Sequence, residues 1–207
     1  MAAPTLNVVC VKAKPRYDHQ YVNKLYKAVR QHLSIPLRFF CLTDDVSGLK
    51  CRTKNLPHQL HDWWGKLYLF NLYFEGKVLY LDLDTLITGP LDFVNDYEGD
   101  FAILRDFYRP EGYGSGVMLW NGGKQPRHVW DNWFANPVIH PLGDQGWIEE
   151  QVKDADRLQD IFPGKIVSYK VDCANGLPEG AAICAFHGLP KPHEFAADHW
   201  VTKVWNE

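Results

Sequence analysis

The sequence predicts an α/β fold, organised as a single domain with a mostly parallel central sheet flanked by helices. Short apolar runs alternate along the chain with segments of helical periodicity, without repeats or low-complexity linkers. One helix separates the first two predicted strands, which makes a βαβ unit and implies that these strands are parallel. A length of 207 residues suits one domain with a substantial core.

The first βαβ unit opens the chain. Residues 6–11 are apolar and predict a buried strand, and His19–Leu33 has apolar residues at helical spacing. Pro36 ends that helix, and Leu37–Thr43 predicts the second strand. Cys51–Leu56 is a candidate for a further short strand.

A second helix is predicted to begin at Asp62, as its N-cap, and to end at Gly76. Val78–Leu81 then forms a continuous apolar run, typical of a strand that is covered on both faces. The remaining predicted elements are helices at Leu91–Tyr97, Pro126–Phe134 and 141–152, strands at Asp100–Leu104, Ser115–Trp120, Ile166–Val171 and Ala181–Phe186, and a polar tail after Phe195.

Two carboxylates follow the strand at Val78–Leu81. Because side chains alternate along a strand, Asp82 and Asp84 are expected to point the same way, with Cα atoms ~7 Å apart. Ligands of open α/β sheets bind beyond the carboxyl ends of the strands. Two acids there favour a hard divalent cation, and such a cation favours substrate phosphate oxygens. The alternative is that the aspartates only solvate or cap a turn, since the motif is short.

The composition excludes several classes of protein. A net charge of -3 without long single-sign runs argues against nucleic acid as a partner. No apolar stretch approaches the ~20 residues of a membrane span, and the run at residues 6–11 is too short for a signal peptide. The five cysteines are odd in number and lack a C-x-x-C pair, which indicates a reduced, cytoplasmic protein, either free or peripheral at a membrane surface.

Further candidate site residues lie in the second half of the chain. His187 follows an apolar strand, and an imidazole that joins two carboxylates shifts metal preference from Mg²⁺ toward Mn²⁺. Lys191 lies between two prolines that stiffen its segment, where it can meet a diphosphate. Asp144 and Gln145 lie between two glycines at the start of a helix, and Asp144 is a candidate N-cap, a site residue, or both.

The order of five motifs resembles a known family. Lys66, LYLDLDT, GSGVMLW, GDQG and FHGLPKP follow one another as in the retaining GT-A glycosyltransferases of the glycogenin and lipopolysaccharide-galactosyltransferase group, family 8. The resemblance spans Leu6 to about Phe195. No one motif is specific, but their shared order is a joint signal.

The resemblance implies a GT-A (Rossmann-like) domain over 1–207, with a nucleotide-binding half at about 1–90 and a sugar and acceptor half at about 91–207. It implies metal-dependent transfer of a hexose, glucose or galactose, from a UDP-sugar, with retention of configuration. The acceptor would be a saccharide, a glycolipid or a glycoprotein.

The resemblance also implies roles for individual residues. Asp82, Asp84 and His187 would ligate Mn²⁺ or Mg²⁺, and Tyr17 or Tyr21 would stack on the base. The residues implied to bind the donor are Val9, Lys12, Tyr17, Lys66, Leu83, Ser115, Gly116 and Lys191, and those implied in catalysis are Lys66, Asp144 and Gln145.

Three features depart from the family pattern. Gly114 stands where the family has the asparagine of an NSGV-type strand, which removes a side chain expected near the sugar. The closing motif H-G-L-P-K-P-H is tighter and lacks a tryptophan. Little sequence lies between Trp120 and Gly143 to build an acceptor platform.

Two other functions fit parts of the pattern. The Asp-x-Asp is similar to that of the phosphatases with an aspartyl nucleophile, but Thr85 arrives one residue early. A non-catalytic nucleotide-sugar-binding module would keep Asp82, Asp84 and His187 without turnover. Aromatic side chains that are candidates to stack on sugars are Trp63, Trp64, Tyr108, Tyr113 and Trp147.

Overall fold

The computed structural model describes residues 5–207 and confirms the predicted α/β class with a mostly parallel central sheet. Within that range the strands are Leu6–Lys12 (β1), Leu37–Thr43 (β2), Arg52–Asn55 (β3), Val78–Leu81 (β4), Leu86–Ile87 (β5), Phe101–Arg105 (β6), Tyr113–Trp120 (β7), Asp156–Arg157 (β8), Ile166–Ser168 (β9) and Ile183–Ala185 (β10).

Helices cover both faces of the central sheet. The α-helices of the described chain are His19–Gln31 (α1), His128–Ala135 (α2), Gly143–Gln151 (α3), Leu158–Ile161 (α4), Tyr169–Asp172 (α5) and Trp200–Asn206 (α6), and its 3-10 helices are Asp62–Asn71, Asp92–Asp96 and Pro192–Glu194.

The central sheet has the strand order β3-β2-β1-β4-β7-β6-β8 over residues 5–207. β1 pairs in parallel with β2 and β4, and β6 pairs in parallel with β8. Only β7, which is antiparallel to β4 and β6, runs the other way among these strands. The carboxyl ends of β1, β4 and β6 therefore meet at one edge of the sheet, where α/β folds place their ligands.

A second, smaller sheet lies beside the first and was not separated by the sequence analysis. β10 is its middle strand, antiparallel to β5 and parallel to β9. β5 follows β4 after a short turn, so the chain passes from the central sheet into the small one directly after Asp82–Asp84. This connection brings the carboxyl end of β10 next to the carboxyl end of β4.

Two hydrophobic layers enclose the central sheet, because successive side chains of a buried strand point to opposite faces. On β1, Val8 packs on the side of α1, where Leu25 and Val29 are buried. Val9 packs on the other side, against Leu67 of the 3-10 helix at Asp62–Asn71. The continuous apolar runs of the sequence reflect this cover on both faces.

Three predicted helix and strand limits are wrong. The helix predicted to end at Gly76 is a 3-10 helix that ends at Asn71. Asp62 is not an N-cap: it has a positive φ of 57°, and its carboxylate pairs with Arg16 instead of a backbone amide. The strand predicted to reach Val171 ends at Ser168, whose hydroxyl accepts a hydrogen bond from the Val171 N–H at 3.2 Å. This cap starts α5, so polar side chains override an apolar run.

The predicted polar tail contains a helix. In α6, Val201 and Trp205 are buried in a cluster that also includes Phe186, next to the end of β10. Two apolar positions four residues apart give a helical face, but the segment is too short for its period to stand out. No helix among residues 5–207 is long and apolar enough to cross a membrane.

Gly122, in the turn after β7, offers a test of this packing. A Cβ built on Gly122 meets the carbonyl oxygen of Phe74 and lies 2.8 Å from that of Gly76, which are backbone atoms leading into β4. We expect Gly122→Ala to lower the free energy of unfolding by about 2 kcal/mol or more, because the backbone must shift. Chemical denaturation monitored by tryptophan fluorescence measures the loss.

Gly164→Ala is the matched control. Gly164 has φ of +74° and nothing within 4 Å of a built Cβ, so this substitution adds backbone strain of about 1 kcal/mol without a clash. A smaller effect at Gly122 than at Gly164 would contradict the close approach described.

Candidate functional site

Most of the predicted site residues line one cavity of about 480 Å³ at the carboxyl edge of the central sheet. A second cavity of about 600 Å³ shares Arg16, Tyr17 and Lys191 with the first and therefore lies next to it. The predicted residues that line the first cavity are Tyr17, Lys66, Asp82, Leu83, Asp84, Ser115, Gly116, Asp144, Gln145, His187 and Lys191.

Lys12 and Val9 lie outside the first cavity. Lys12 lines the second cavity, where its ammonium group donates to the Asp45 carboxylate at 3.2 Å and to the Asp45 backbone carbonyl at 3.1 Å. Val9 is fully buried within β1 and lines neither cavity. The structure therefore does not bring the Val9 side chain to the site.

The two aspartates reach the cavity by a turn and not by strand alternation. β4 ends at Leu81, and the Thr85 N–H donates to the Asp82 carbonyl at 3.1 Å, which closes a turn over Asp82–Thr85. The Asp82 N–H donates to the Gly116 carbonyl at 2.9 Å and ties the turn to β7. Both aspartate side chains line the same cavity. They do so because of the turn, so the predicted cause, alternation of side chains along a strand, is wrong.

A buried ammonium group joins three parts of the chain. Lys66 Nζ lies 2.7 Å from Asp144 Oδ2 and 3.1 Å from Asp82 Oδ1, and it donates to Ser115 Oγ at 3.0 Å. Ser115 Oγ in turn donates to Asp144 Oδ2 at 3.0 Å. Asp144 is not an N-cap, since Leu142 holds that position and no side chain caps α3. We call Lys66, Asp82, Ser115 and Asp144 the lysine cluster.

Burial and pairing set the charges in the lysine cluster. Burial raises the pKa of Asp82 to about 6, although Lys66 acts in the opposite direction. Burial alone would lower the pKa of Lys66, but the carboxylates of Asp144 and Asp82 outweigh burial and raise it. The Tyr80 hydroxyl also donates to Asp82 Oδ1 at 2.5 Å. The lysine cluster therefore keeps the Lys66 ammonium group charged where it lines the cavity.

A second pairing surrounds Asp84. Lys191 Nζ and the Tyr17 hydroxyl both donate to Asp84 Oδ2, the latter at 3.0 Å. Lys191 Nζ also lies 5.8 Å from the centre of the Tyr17 ring, within reach of a cation–π interaction. Tyr21 packs against Tyr17 with ring centres 4.7 Å apart but lines only the second cavity.

His187 follows β10 and completes the cavity from the small sheet. Its Nε2 lies 2.7 Å from Ser168 Oγ on β9, and its ring stacks on Phe107 at 5.7 Å. Burial and the nearby Lys170 lower the pKa of His187, which favours the neutral form of its imidazole. A neutral imidazole is the form that ligates metals.

The donor set of Asp82, Asp84 and His187 fits a divalent cation in chemistry. Two carboxylates and a neutral imidazole around one cavity suit Mn²⁺, and the two lysines pair with the carboxylates that a cation would also contact. As the side chains stand, no three His, Cys, Asp or Glu residues within 5–207 converge into a ligand group. If Ser168 keeps its bond to Nε2, ligation by His187 goes through Nδ1.

Asp106 is a site residue that was not predicted from the sequence. Asp106 lines the cavity directly after β6, whose carboxyl end lies at the same edge as that of β4. The rule that selected Asp82 therefore also applied to Asp106, but from this part of the sequence only Tyr108 and Tyr113 were selected, as aromatic candidates. Arg16 and Asp62, which also line the cavity, carried no comparable signal because no strand precedes them directly.

Two of the aromatic candidates flank the cavity. Trp63 and Tyr108 line it and are 40% and 65% exposed. The guanidinium group of Arg16 lies 4.2 Å from the centre of the Trp63 ring. Tyr113 and Trp147 are core residues, and Trp64 stacks on a neighbouring tryptophan.

Solved structures of glycosyltransferases share this fold. The glycosyltransferase GlyE of Streptococcus pneumoniae TIGR4 superimposes with a TM-score of 0.70 at 20% identity, over 98% of this chain and 60% of GlyE. The galactosyltransferase LgtC, solved with donor and acceptor sugar analogues, gives a TM-score of 0.62 at 15% identity, over 97% of this chain and 95% of LgtC. The bifunctional glycosyltransferase WbbM gives a TM-score of 0.64 at 13% identity, over 93% of this chain and 47% of WbbM.

These likenesses define the class of fold: the chain has the GT-A fold of glycosyltransferases. At 13–20% identity they show the fold alone. The chain spans about 60% of the length of GlyE. Comparisons with protein-family models and with curated proteins give no match.

The lysine cluster predicts a pH-dependent stability defect in Lys66→Met. Removing the buried cation leaves Asp82 and Asp144 unpaired, which costs about 3–5 kcal/mol of unfolding free energy at pH 7. Burial already raises the pKa of Asp82 to about 6, and removal of the cation raises it further, so the loss is complete at high pH and shrinks as the pH falls. Urea denaturation of both proteins between pH 5 and 8 measures it.

Lys124→Met is the control, since Lys124 pairs with Asp100 at 3.3 Å while both side chains are mostly exposed. It should cost no more than about 1 kcal/mol. A Lys66→Met defect that is equally small, or that grows on acidification, would contradict the pairing described.

Proposed function

We propose that the protein is a metal-dependent glycosyltransferase that moves a hexose, glucose or galactose, from a UDP-sugar to a saccharide, glycolipid or protein acceptor with retention of configuration. One observation carries this proposal. In a GT-A fold, a single cavity is lined by the Asp-x-Asp pair, a neutral histidine, two lysines and the Asp144-Gln145 pair. Together these groups can hold a divalent cation, place positive charge near a diphosphate and present polar atoms to a sugar.

The diphosphate end of the donor would lie between the two lysines. Asp82, Asp84 and His187 would hold Mn²⁺ or Mg²⁺, which when bound supplies Lewis-acid stabilisation of the leaving diphosphate. Lys191 and Lys66 add fixed positive charge, and the side chain of Lys66 is only 7% exposed. Buried charges act through a lower effective dielectric, so they stabilise developing negative charge more strongly than exposed ones.

The nucleoside would occupy the second cavity. Lys12 and Tyr17 line it, and Leu83 borders the first cavity between the two aspartates. We favour Tyr17 over Tyr21 for stacking on the base, because Tyr17 lines both cavities and its hydroxyl donates to Asp84. In this scheme residues 1–90 supply most of the nucleotide contacts, while His187 and Lys191 add to them from the second half of the chain.

The sugar would lie against Ser115 and Gly116, next to Asp144 and Gln145. Transfer breaks the bond between the anomeric carbon and the diphosphate oxygen, and the electron pair leaves with the diphosphate. The acceptor hydroxyl oxygen forms the new bond, and its proton passes to the leaving phosphate oxygen. Asp144 is paired with Lys66 at 2.7 Å, which favours an electrostatic role over that of a nucleophile.

The acceptor would enter past Trp63 and Tyr108. Both side chains are exposed at the cavity, and aromatic faces stack on the C–H surfaces of pyranose rings. The short segment between β7 and α3 adds only α2 to this side, so these two rings are the main candidate platform.

The direct test is release of UDP from a panel of UDP- and GDP-sugars with Mn²⁺, Mg²⁺ or EDTA. We expect manganese-dependent hydrolysis of one UDP-hexose, lowered at least about 100-fold in Asp84→Asn because a metal ligand is lost. Asp100→Asn is the control, since Asp100 is exposed and pairs only with Lys124 within the described chain. Its rate should equal that of the wild type.

Other outcomes separate the alternatives. UDP binding without turnover, with or without sugar acceptors, would favour a non-catalytic binding module. Release of inorganic phosphate from p-nitrophenyl phosphate would favour an aspartyl phosphatase. Failure to bind any nucleotide, measured by calorimetry, would overturn the proposed function.

A further inference from the structure

Asp106 has every acceptor position of its carboxylate occupied. Its Oδ1 accepts from the backbone N–H groups of Tyr108 and Arg109, at 2.8 and 2.9 Å. Its Oδ2 accepts from Arg109 Nη2 at 3.1 Å and from Gln145 Nε2 at 2.8 Å. A carboxylate offers about four lone-pair sites, so none is left for a sugar hydroxyl or a metal ion.

This arrangement fixes the Gln145 amide. An ionised carboxylate only accepts hydrogen bonds, so the nitrogen of the amide must face Asp106 and the oxygen must point away from it. Gln145 lines the cavity, which leaves Oε1 as the amide atom presented to a bound ligand. Burial opposes ionisation of Asp106, but the Tyr108 and Arg109 amides outweigh it and hold its pKa below the usual value.

A bidentate ion pair stabilises the contact between Asp106 and Gln145. Arg109 donates to both carboxylate oxygens of Glu149, at 3.0 and 2.7 Å. Glu149 lies on α3 one turn after Gln145, so the loop after β6 is joined to α3 at two points. Two attachments one helical turn apart restrict rotation of the loop against the helix, which a single hydrogen bond would not do.

We infer that Asp106 is a positioning residue that holds the Gln145 amide with its oxygen toward the donor sugar. The inference rests on the proposed function, since it assigns the oxygen to the positive character that develops at the anomeric carbon. An amide held the other way would present N–H donors to that carbon and oppose the charge. Asp106 itself contacts neither substrate nor metal.

Asp106→Asn tests the orientation. The oxygen of the introduced amide should stay on the Tyr108 and Arg109 backbone amides, because turning it away would leave two N–H groups unpaired. The NH₂ group of the introduced amide then faces Gln145 and forces the Gln145 amide to turn, so N–H groups point into the cavity. We expect kcat for UDP-sugar hydrolysis to fall at least about 10-fold, with the donor KM changed less than about two-fold.

Gln145→Glu supplies the reciprocal change. At pH 8 the introduced carboxylate and that of Asp106 repel each other, and this variant should also lose kcat. In the double variant Asp106→Asn/Gln145→Glu, the introduced amide donates to one oxygen of the introduced carboxylate, whose other oxygen faces the cavity. The double variant should therefore be more active than either single variant, a non-additivity that damage to the fold would not produce.

A readout without turnover separates this inference from the proposed function. With ¹⁵N-labelled glutamine side chains, and Gln145→Ala to identify the signal, the Gln145 amide protons should exchange slowly with solvent in the wild type and faster in Asp106→Asn. Asp160→Asn is the control, because Asp160 pairs with Arg105 on the surface and takes no part in the site.

The outcomes are distinct. Slow exchange in a wild-type protein that turns over no UDP-sugar, with or without sugar acceptors, would overturn the proposed function while the amide orientation stands. Unchanged exchange and unchanged kcat in Asp106→Asn, with Asp160→Asn also unchanged, would overturn the positioning role. The positioning role would also be overturned if kcat of the double variant were no higher than the value expected from multiplying the two single-variant effects.

Discussion

The buried ammonium group of Lys66 is the interaction on which the site depends. It lies between carboxylates from the turn after β4 and from the first turn of α3, with the hydroxyl of Ser115 on β7 as a further partner. A buried cation of this kind is stable only while its partners stay in place, because an unpaired charge in the interior is costly. The three elements are therefore held together by a group that also supplies charge to the cavity.

The cavity exists because two sheets meet at their carboxyl ends. The central sheet contributes the Asp82–Thr85 turn, and the small sheet contributes His187 after β10. β5 connects them, since it continues from the turn and pairs with β10. The neutral imidazole and Lys191 are thus placed against the aspartates by backbone hydrogen bonds between strands, and side-chain contacts then adjust the fit.

The sequence predicted the strands of the central sheet and the residues of the site, but it did not predict the contacts that these residues make with one another. Apolar runs and the strand-end rule located Asp82, Asp84 and His187, because these depend on local pattern. Pairing of Lys66 with Asp144 depends on tertiary packing, which no periodicity encodes. Asp62 was misassigned because its positive φ and its tertiary contact with Arg16 have no signature in the local sequence pattern. Asp106 lay within reach of the same rule as Asp82, but its role depends on hydrogen bonds to a helix far along the chain.

The small sheet has a consequence for synthesis of the protein on the ribosome. Asp84 and Lys191 are separated by 107 positions, and β10 must be in place before His187 can approach the aspartates. The central strands β1, β2 and β4 can pair while the later segments are still being translated, since chains fold in part as they emerge. The contact of Asp84 with Lys191 therefore forms only after translation of the 107 positions that separate them, and the cleft is complete only when the segment after β10 docks.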